Sequence, residues 1–197
     1  VALPPVWRPH QVVILGIDSA AQSGWGIWRP GSLRVGVIRD RVGAEAERCQ
    51  VVEAAIAEAR AHGLGLIVLG EKWTAGGAVR DGKMHASTLL GLGAAWRDWE
   101  RVLRHYRVPR KRLLRVNVKT WQGAMLKGLG ARTSAELKAA AKLVTRSRFP
   151  GLPDGLAPDA YDAGCIVLWG GQSGEVGHAL ASSRLWPTQA HEPLVHV

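Results

Sequence analysis

VVILGIDSAAQSGWGIW, residues 12–28, decides how this chain is read. An apolar run from Val12 to Ile17 stops at Asp18. Ser19, Ala20, Ala21, Gln22 and Ser23 follow, then Gly24, and a second apolar run opens at Trp25. An apolar run without polar alternation predicts a strand covered on both faces. Asp18 then stands at the strand's end, where a fold can present a charge at the rim of its sheet. The short link after it predicts a tight return into a second strand over 24–28. Arg29-Pro30-Gly31-Ser32 predicts a turn into a third over 33–38. Strands joined by links this short form an antiparallel meander.

The pattern then changes period. Cys49, Val52, Ile56 and Ala59 recur at helical spacing, predicting a helix over 44–61 that His62-Gly63 ends. Residues 64–69 are apolar again and run into Gly70-Glu71. A strand–helix–strand crossover is right-handed and sets this fourth strand parallel to one of the first three. After a polar, glycine-containing loop over 72–85, Leu89, Leu92, Trp96, Trp99 and Leu103 mark a long helix over 86–105. That stripe reads as core packing, with a second subunit as the alternative partner. A basic run over 107–112 leads into a short fifth strand over 113–116 and a short helix over 118–126. Thr133-Ser134-Ala135-Glu136 fits a capping box and opens a basic helix over 133–148. Beyond the Pro/Gly-rich 149–157, Pro158 sits in the first turn of a last helix over 158–169. The organisation is α/β: a lead-in over 1–11, one folded domain over 12–170 and a polar tail over 171–197.

At 197 residues the chain suits one domain with a full core. Its net charge of +10 favours a polyanionic partner, nucleic acid first, over a merely solvated basic surface. No basic amphipathic helix and no apolar run of about 18 residues point to a membrane. VALPPVWRPH, residues 1–10, has no apolar signal core. The two cysteines, Cys49 and Cys165, lie in apolar helical patterns and read as small buried residues, not as a disulfide or zinc site. An intracellular, reducing home is therefore expected. Most of the nine tryptophans read as core, leaving a few near basic residues to stack on bases.

Four acids stand out by position: Asp18 and Glu71 at strand ends, and Asp159 and Asp162 three apart on one face of the last helix. Each alone admits a structural reading. Asp18 can cap a turn, Glu71 can face water, and Asp159 is favoured by the helix dipole. Together they point elsewhere. If the last helix crosses the rim of the sheet, four carboxylates converge, and like charges do not gather without a cation. A hard ion such as Mg²⁺ takes oxygen ligands. Two of them, about 3.5–4 Å apart, can clamp the attacking and leaving oxygens of a phosphodiester.

Strand–Asp18 with its meander, strand–Glu71, a long helix, Asn117-Val118-Lys119-Thr120 and Asp159-Ala160-Tyr161-Asp162-Ala163 resemble, in that order, the RuvC-type Holliday junction resolvases of the RNase H-like superfamily. The resemblance covers roughly residues 12–170 and implies the RNase H-like fold: a five-stranded mixed sheet, the three-strand meander plus two parallel strands, flanked by helices. It implies that Asp18, Glu71, Asp159 and Asp162 bind two Mg²⁺, or Mn²⁺, per active site. It further implies that Lys119 and Lys138 assist the phosphate chemistry, and that Trp73 stands for the aromatic the family uses at the junction centre. The implied activity is metal-dependent endonuclease cleavage of four-way DNA junctions by a homodimer, as paired nicks that leave 5′-phosphate and 3′-hydroxyl ends. Arg80, Lys83, Arg110, Lys111, Arg112, Lys142 and Arg146 are the candidates for DNA-backbone contacts, which position without specifying. Ser19-Ala20 replaces the Pro-Gly that usually follows the family's first acid. That departure resembles a divergent, virus-type member, working in the cytoplasm of a bacterium or a virus-infected cell.

Other classes remain in view. An RNase H-like nuclease acting on flaps, other branched DNA or RNA–DNA hybrids would use the same acids. A non-catalytic structure-specific DNA-binding protein would gain nothing from acids beside a phosphate backbone. An actin-like phosphotransferase also starts with a strand ending in Gly-Ile-Asp, but its second lobe has no room in 197 residues.

Overall fold

In the computed structural model of the chain the described residues are 12–20, 22–72 and 86–173, with the backbone alone at 86–90 and 92. Five strands, β1 (Val12–Asp18), β2 (Gln22–Arg29), β3 (Ser32–Arg39), β4 (Gly65–Lys72) and β5 (Leu113–Asn117), form one sheet in the order β3-β2-β1-β4-β5. β1, β2 and β3 are the expected antiparallel meander, β4 lies parallel to β1, and β5 lies parallel to β4. The helices are α1 (Ala44–Ala61), α2 (Ala86–His105), α3 (Val118–Met125), α4 (Ser134–Arg148) and α5 (Pro158–Gln172). A 3-10 turn, Arg110–Arg112, precedes β5. The element types follow the sequence reading, while several ends move outward. β2 begins at Gln22, β4 runs through Glu71 to Lys72, and α5 continues to Gln172, past the domain end expected at 170. Among the described residues no helix is long and apolar enough to cross a membrane.

Strand parity sorts the core into two layers, because successive side chains point to opposite faces. Val12 and Ile14 of β1 join Ile67 and Leu69 of β4 on the face covered by α3, α4 and α5. Val13, Leu15 and Ile17 join Leu66 and Val68 on the face covered by α1 and α2. Trp96, Trp99 and Leu103 of α2 are buried in that second layer, so the stripe is core of this chain. Leu89 and Leu92 lie where only backbone is described.

The α1 stripe differs from expectation. Val51, Val52, Ala55, Ile56 and Ala59 are buried, while Cys49 is half-buried. Arg48 is buried with them, within 3.8 Å of both Asp40 and Asp98, and its guanidinium lies 5.9 Å from the Trp99 ring centroid. Two acids and an aromatic face surround the charge, while the Arg48 Nε has no hydrogen-bond partner among the described residues. No sequence period announces that arrangement.

Candidate active site

The same parity delivers the acids. Asp18 continues the Val12–Ile14 face of β1, and Glu71 continues the Ile67–Leu69 face of β4, so both point toward the α3–α5 layer. Ile17 pairs with Gly70, which sets Asp18 and Glu71 on adjacent strands at the next rung. α5 then lies across β1 and β2, and its first turns bring Asp159 and Asp162 to that rim. Two glycines make the approach possible. Gly24, the antiparallel partner of Asp18, has the Asp159 carbonyl oxygen 1.9 Å from where a Cβ would stand. A Cβ on Gly16 would meet the Val167 side chain at 2.5 Å. Only a bare backbone lets the helix come this close.

Carboxylate oxygens of Asp18, Asp159 and Asp162 all lie within 4.8 Å of one another. Glu71 lines the same cleft, of about 470 Å³, as do Lys119 and Lys138. The structure thus brings together the four acids and both lysines singled out in the sequence. Asp18 is 6% exposed and Glu71 4%; neither faces open water. Lys138 on α4 donates to Asp159 Oδ1 and lies 3.6 Å from Asp162 Oδ2. Lys119, on the first turn of α3, is exposed at the cleft's edge, and its backbone N–H is capped by Asn117 Oδ1 at 2.9 Å.

Burial, reinforced by the carboxylates of Glu71, Asp162 and Asp159, raises Asp18 well above the usual carboxyl range; the Lys138 ammonium opposes it. Burial also pushes Glu71 up to about 7, against the hydrogen bond from Trp121. It lifts Asp162 to about 6, against the pull of Lys138. Burial works against the charge on Lys138, but its bond to Asp159 and the acids around it prevail and hold its pKa above the ordinary value. The cleft is thus a buried, acid-rich site with more carboxylates than ammonium groups to neutralise them, poised to gain from a cation.

Other residues of the site carry no local sequence signal. Gln22 donates its amide to Asp159 Oδ2 at 3.1 Å from the start of β2. Trp121 donates its indole N–H to Glu71 Oε2 at 3.1 Å, and Arg115 donates to the Glu71 carbonyl at 2.6 Å. These partners are far apart in sequence; the parity of β2 and β4 is the one hint that Gln22 and Glu71 share a rim.

The basic candidates divide. Arg112 is corrected: it is 0% exposed, packed at the entry to β5, and has no surface from which to touch a DNA backbone. Arg110 and Lys111 are exposed but stand before the start of β5, whereas the acids stand at the strand ends. Lys142 is exposed one turn beyond Lys138 on α4, with its ammonium 5.9 Å from the Tyr161 ring centroid. Arg146, a further turn on, is engaged by Asp154. Trp73, Arg80 and Lys83 lie outside the described residues.

The structure of T. thermophilus RuvC in complex with Holliday junction substrate is similar to this chain at 15% identity and a TM-score of 0.52, over 79% of this chain and 90% of that one. A Thermus thermophilus RuvC structure aligns at 15% identity and a TM-score of 0.46, over 79% of this chain and 91% of that one. The yeast mitochondrial Holliday junction resolvase aligns at 11% identity and 0.46, over 88% and 83%. No family model and no curated protein sequence matches. The likeness is one of fold: the five-stranded mixed sheet with its flanking helices is the RNase H-like fold of RuvC type.

Proposed function

We propose that this chain is a structure-specific endodeoxyribonuclease that resolves four-way DNA junctions by Mg²⁺-dependent phosphodiester hydrolysis, acting as a homodimer that makes paired nicks. The observation that carries the reading is the convergence of Asp18, Glu71, Asp159 and Asp162 on one cleft at the rim of the sheet. The donor set fits the ion. It is all oxygen, it is buried at Asp18 and Glu71, and its acids outnumber the single ammonium that touches them, among the described residues. When bound, Mg²⁺ supplies charge neutralisation at the phosphate and a water of lowered pKa.

The chain's own groups do the rest. Asp18, Glu71, Asp159 and Asp162 would hold the cation. Gln22 and Lys138 fix the Asp159 carboxylate from two sides, so it enters catalysis already oriented. Lys138 is 40% exposed on its side chain and reaches from the acids toward the cleft, where it offsets charge on the phosphate under attack. Lys119, exposed at the cleft's edge, would hold a neighbouring phosphate oxygen. Lys142 extends the basic track along α4. A dimer sets two such clefts in symmetric relation, as two opposed nicks require.

The test is a substrate panel: a synthetic four-way junction, a linear duplex, a flap and an RNA–DNA hybrid, each with Mg²⁺ or chelator. Paired, Mg²⁺-dependent cuts on the junction are expected. Binding without cutting in either Mg²⁺ or Mn²⁺ overturns the nuclease reading, and equal cutting of the duplex overturns the junction preference. Asp18→Asn is expected to keep junction binding, by gel shift, while cleavage falls at least about 1,000-fold.

A further inference from the structure

Burial alone does not account for one wall of the cleft. Trp121 is 1% exposed, and its indole N–H can only donate. It donates to Glu71 Oε2 at 3.1 Å inside the protein. Trp99, buried in the opposite layer, has no hydrogen-bond partner for its Nε1 among the described residues. The pairing at Trp121 sets this buried indole apart from Trp99.

Glu71 is gripped a second time through its backbone. Arg115 donates to its carbonyl at 2.6 Å while lying 3.9 Å from the Trp96 ring centroid on the other face of the sheet. Main chain and side chain are thus held from opposite layers. The indole takes one acceptor position on Oε2, and the carboxylate keeps others for a cation.

We infer that Trp121 is a positioning residue: through its Nε1–H it holds the Glu71 carboxylate in the orientation in which that acid ligates a hard divalent cation. The inference rests on the proposed reading of the acids as cation ligands. An outer partner that fixes a ligand's orientation contributes about 10- to 100-fold to metal affinity.

Mg²⁺ titration calorimetry on the full chain without DNA tests it, with four variants: Trp121→Phe, Glu71→Gln, both together, and Trp169→Phe as a buried indole of the same layer. Trp121→Phe is expected to weaken Mg²⁺ binding at least about 10-fold and Trp169→Phe to leave it within about two-fold. In the Glu71→Gln background, Trp121→Phe is expected to change nothing further, since its effect runs through that carboxylate. Parent-like binding by Trp121→Phe, or an equal loss in the Glu71→Gln background, overturns the inference while leaving the acids as ligands. A parent chain that binds no Mg²⁺ overturns both. If Trp121→Phe does not fold, the parent decides by NMR. The assigned Trp121 indole N–H resonance is expected to shift on Mg²⁺ addition while that of Trp99 stays. An unmoved Trp121 resonance overturns the inference.

Discussion

Glu71 shows what the site costs the fold. Its carboxyl is raised from 4.5 to about 7, chiefly by burial. A raised carboxyl is stabilising while protonated: the folded chain keeps its proton between pH 4.5 and about 7, where the unfolded chain has lost it. Metal-free stability should therefore fall as pH climbs through that window, and this group's share of the loss is complete above about 7. Asp162, raised to about 6, adds in the same direction. Denaturant melts at pH 5 and pH 8 are expected to show the loss in the parent and a smaller one in Glu71→Gln. Mg²⁺ should return part of it at pH 8 and little at pH 5, where protons already occupy the carboxylates.

At the scale of elements, the site depends on how closely α5 approaches β2. A methyl at Gly24 would fall 1.9 Å from a backbone oxygen of α5's first turn, and backbone cannot swing aside as a side chain can. Gly24→Ala is expected to cost about 3 kcal/mol and roughly 10 °C in thermal midpoint. It should weaken Mg²⁺ binding as well, because Asp159 and Asp162 ride on the displaced turn. The capping box of α4 gives the contrast. Thr133 accepts from the Glu136 N–H while Glu136 accepts from the Thr133 N–H. Thr133→Ala should cost about 1 kcal/mol by denaturant melt and leave Mg²⁺ affinity unchanged. That box was legible from four residues, because both halves of the motif are local. The buried place of Arg48 was not, because Asp98 and Trp99 reach it from another helix.

For the whole molecule the net charge of +10 matters more than any single contact. DNA affinity should fall steeply with salt, linearly on a log–log scale, as displaced counterions require. Lys142→Glu, on the exposed side of α4, should weaken binding of junction and duplex alike and reduce the salt slope by about 1 to 2. A loss confined to the junction would mean that Lys142 reads shape and not charge. Fluorescence anisotropy over a salt series measures both.

From the sequence alone came the five strands, the meander, the parallel crossover and the four acids. Each is written in a local signal: an apolar run, a turn, a capping box, a carboxylate where a run ends. Tertiary structure decided what those signals could not carry. It set Asp18 and Glu71 on one face through strand register, and admitted α5 through the bare backbone of Gly24. It also withdrew Arg112 into the interior and gave Trp121 and Gln22 their acid partners. The physical reason is range. Secondary structure and charge are set by neighbours along the chain, whereas burial, register and a carboxylate's hydrogen bond are set by whatever packing brings against it. In this chain the hairpin at 12–28 supplies the first acid, and a helix some 140 residues later brings two more beside it.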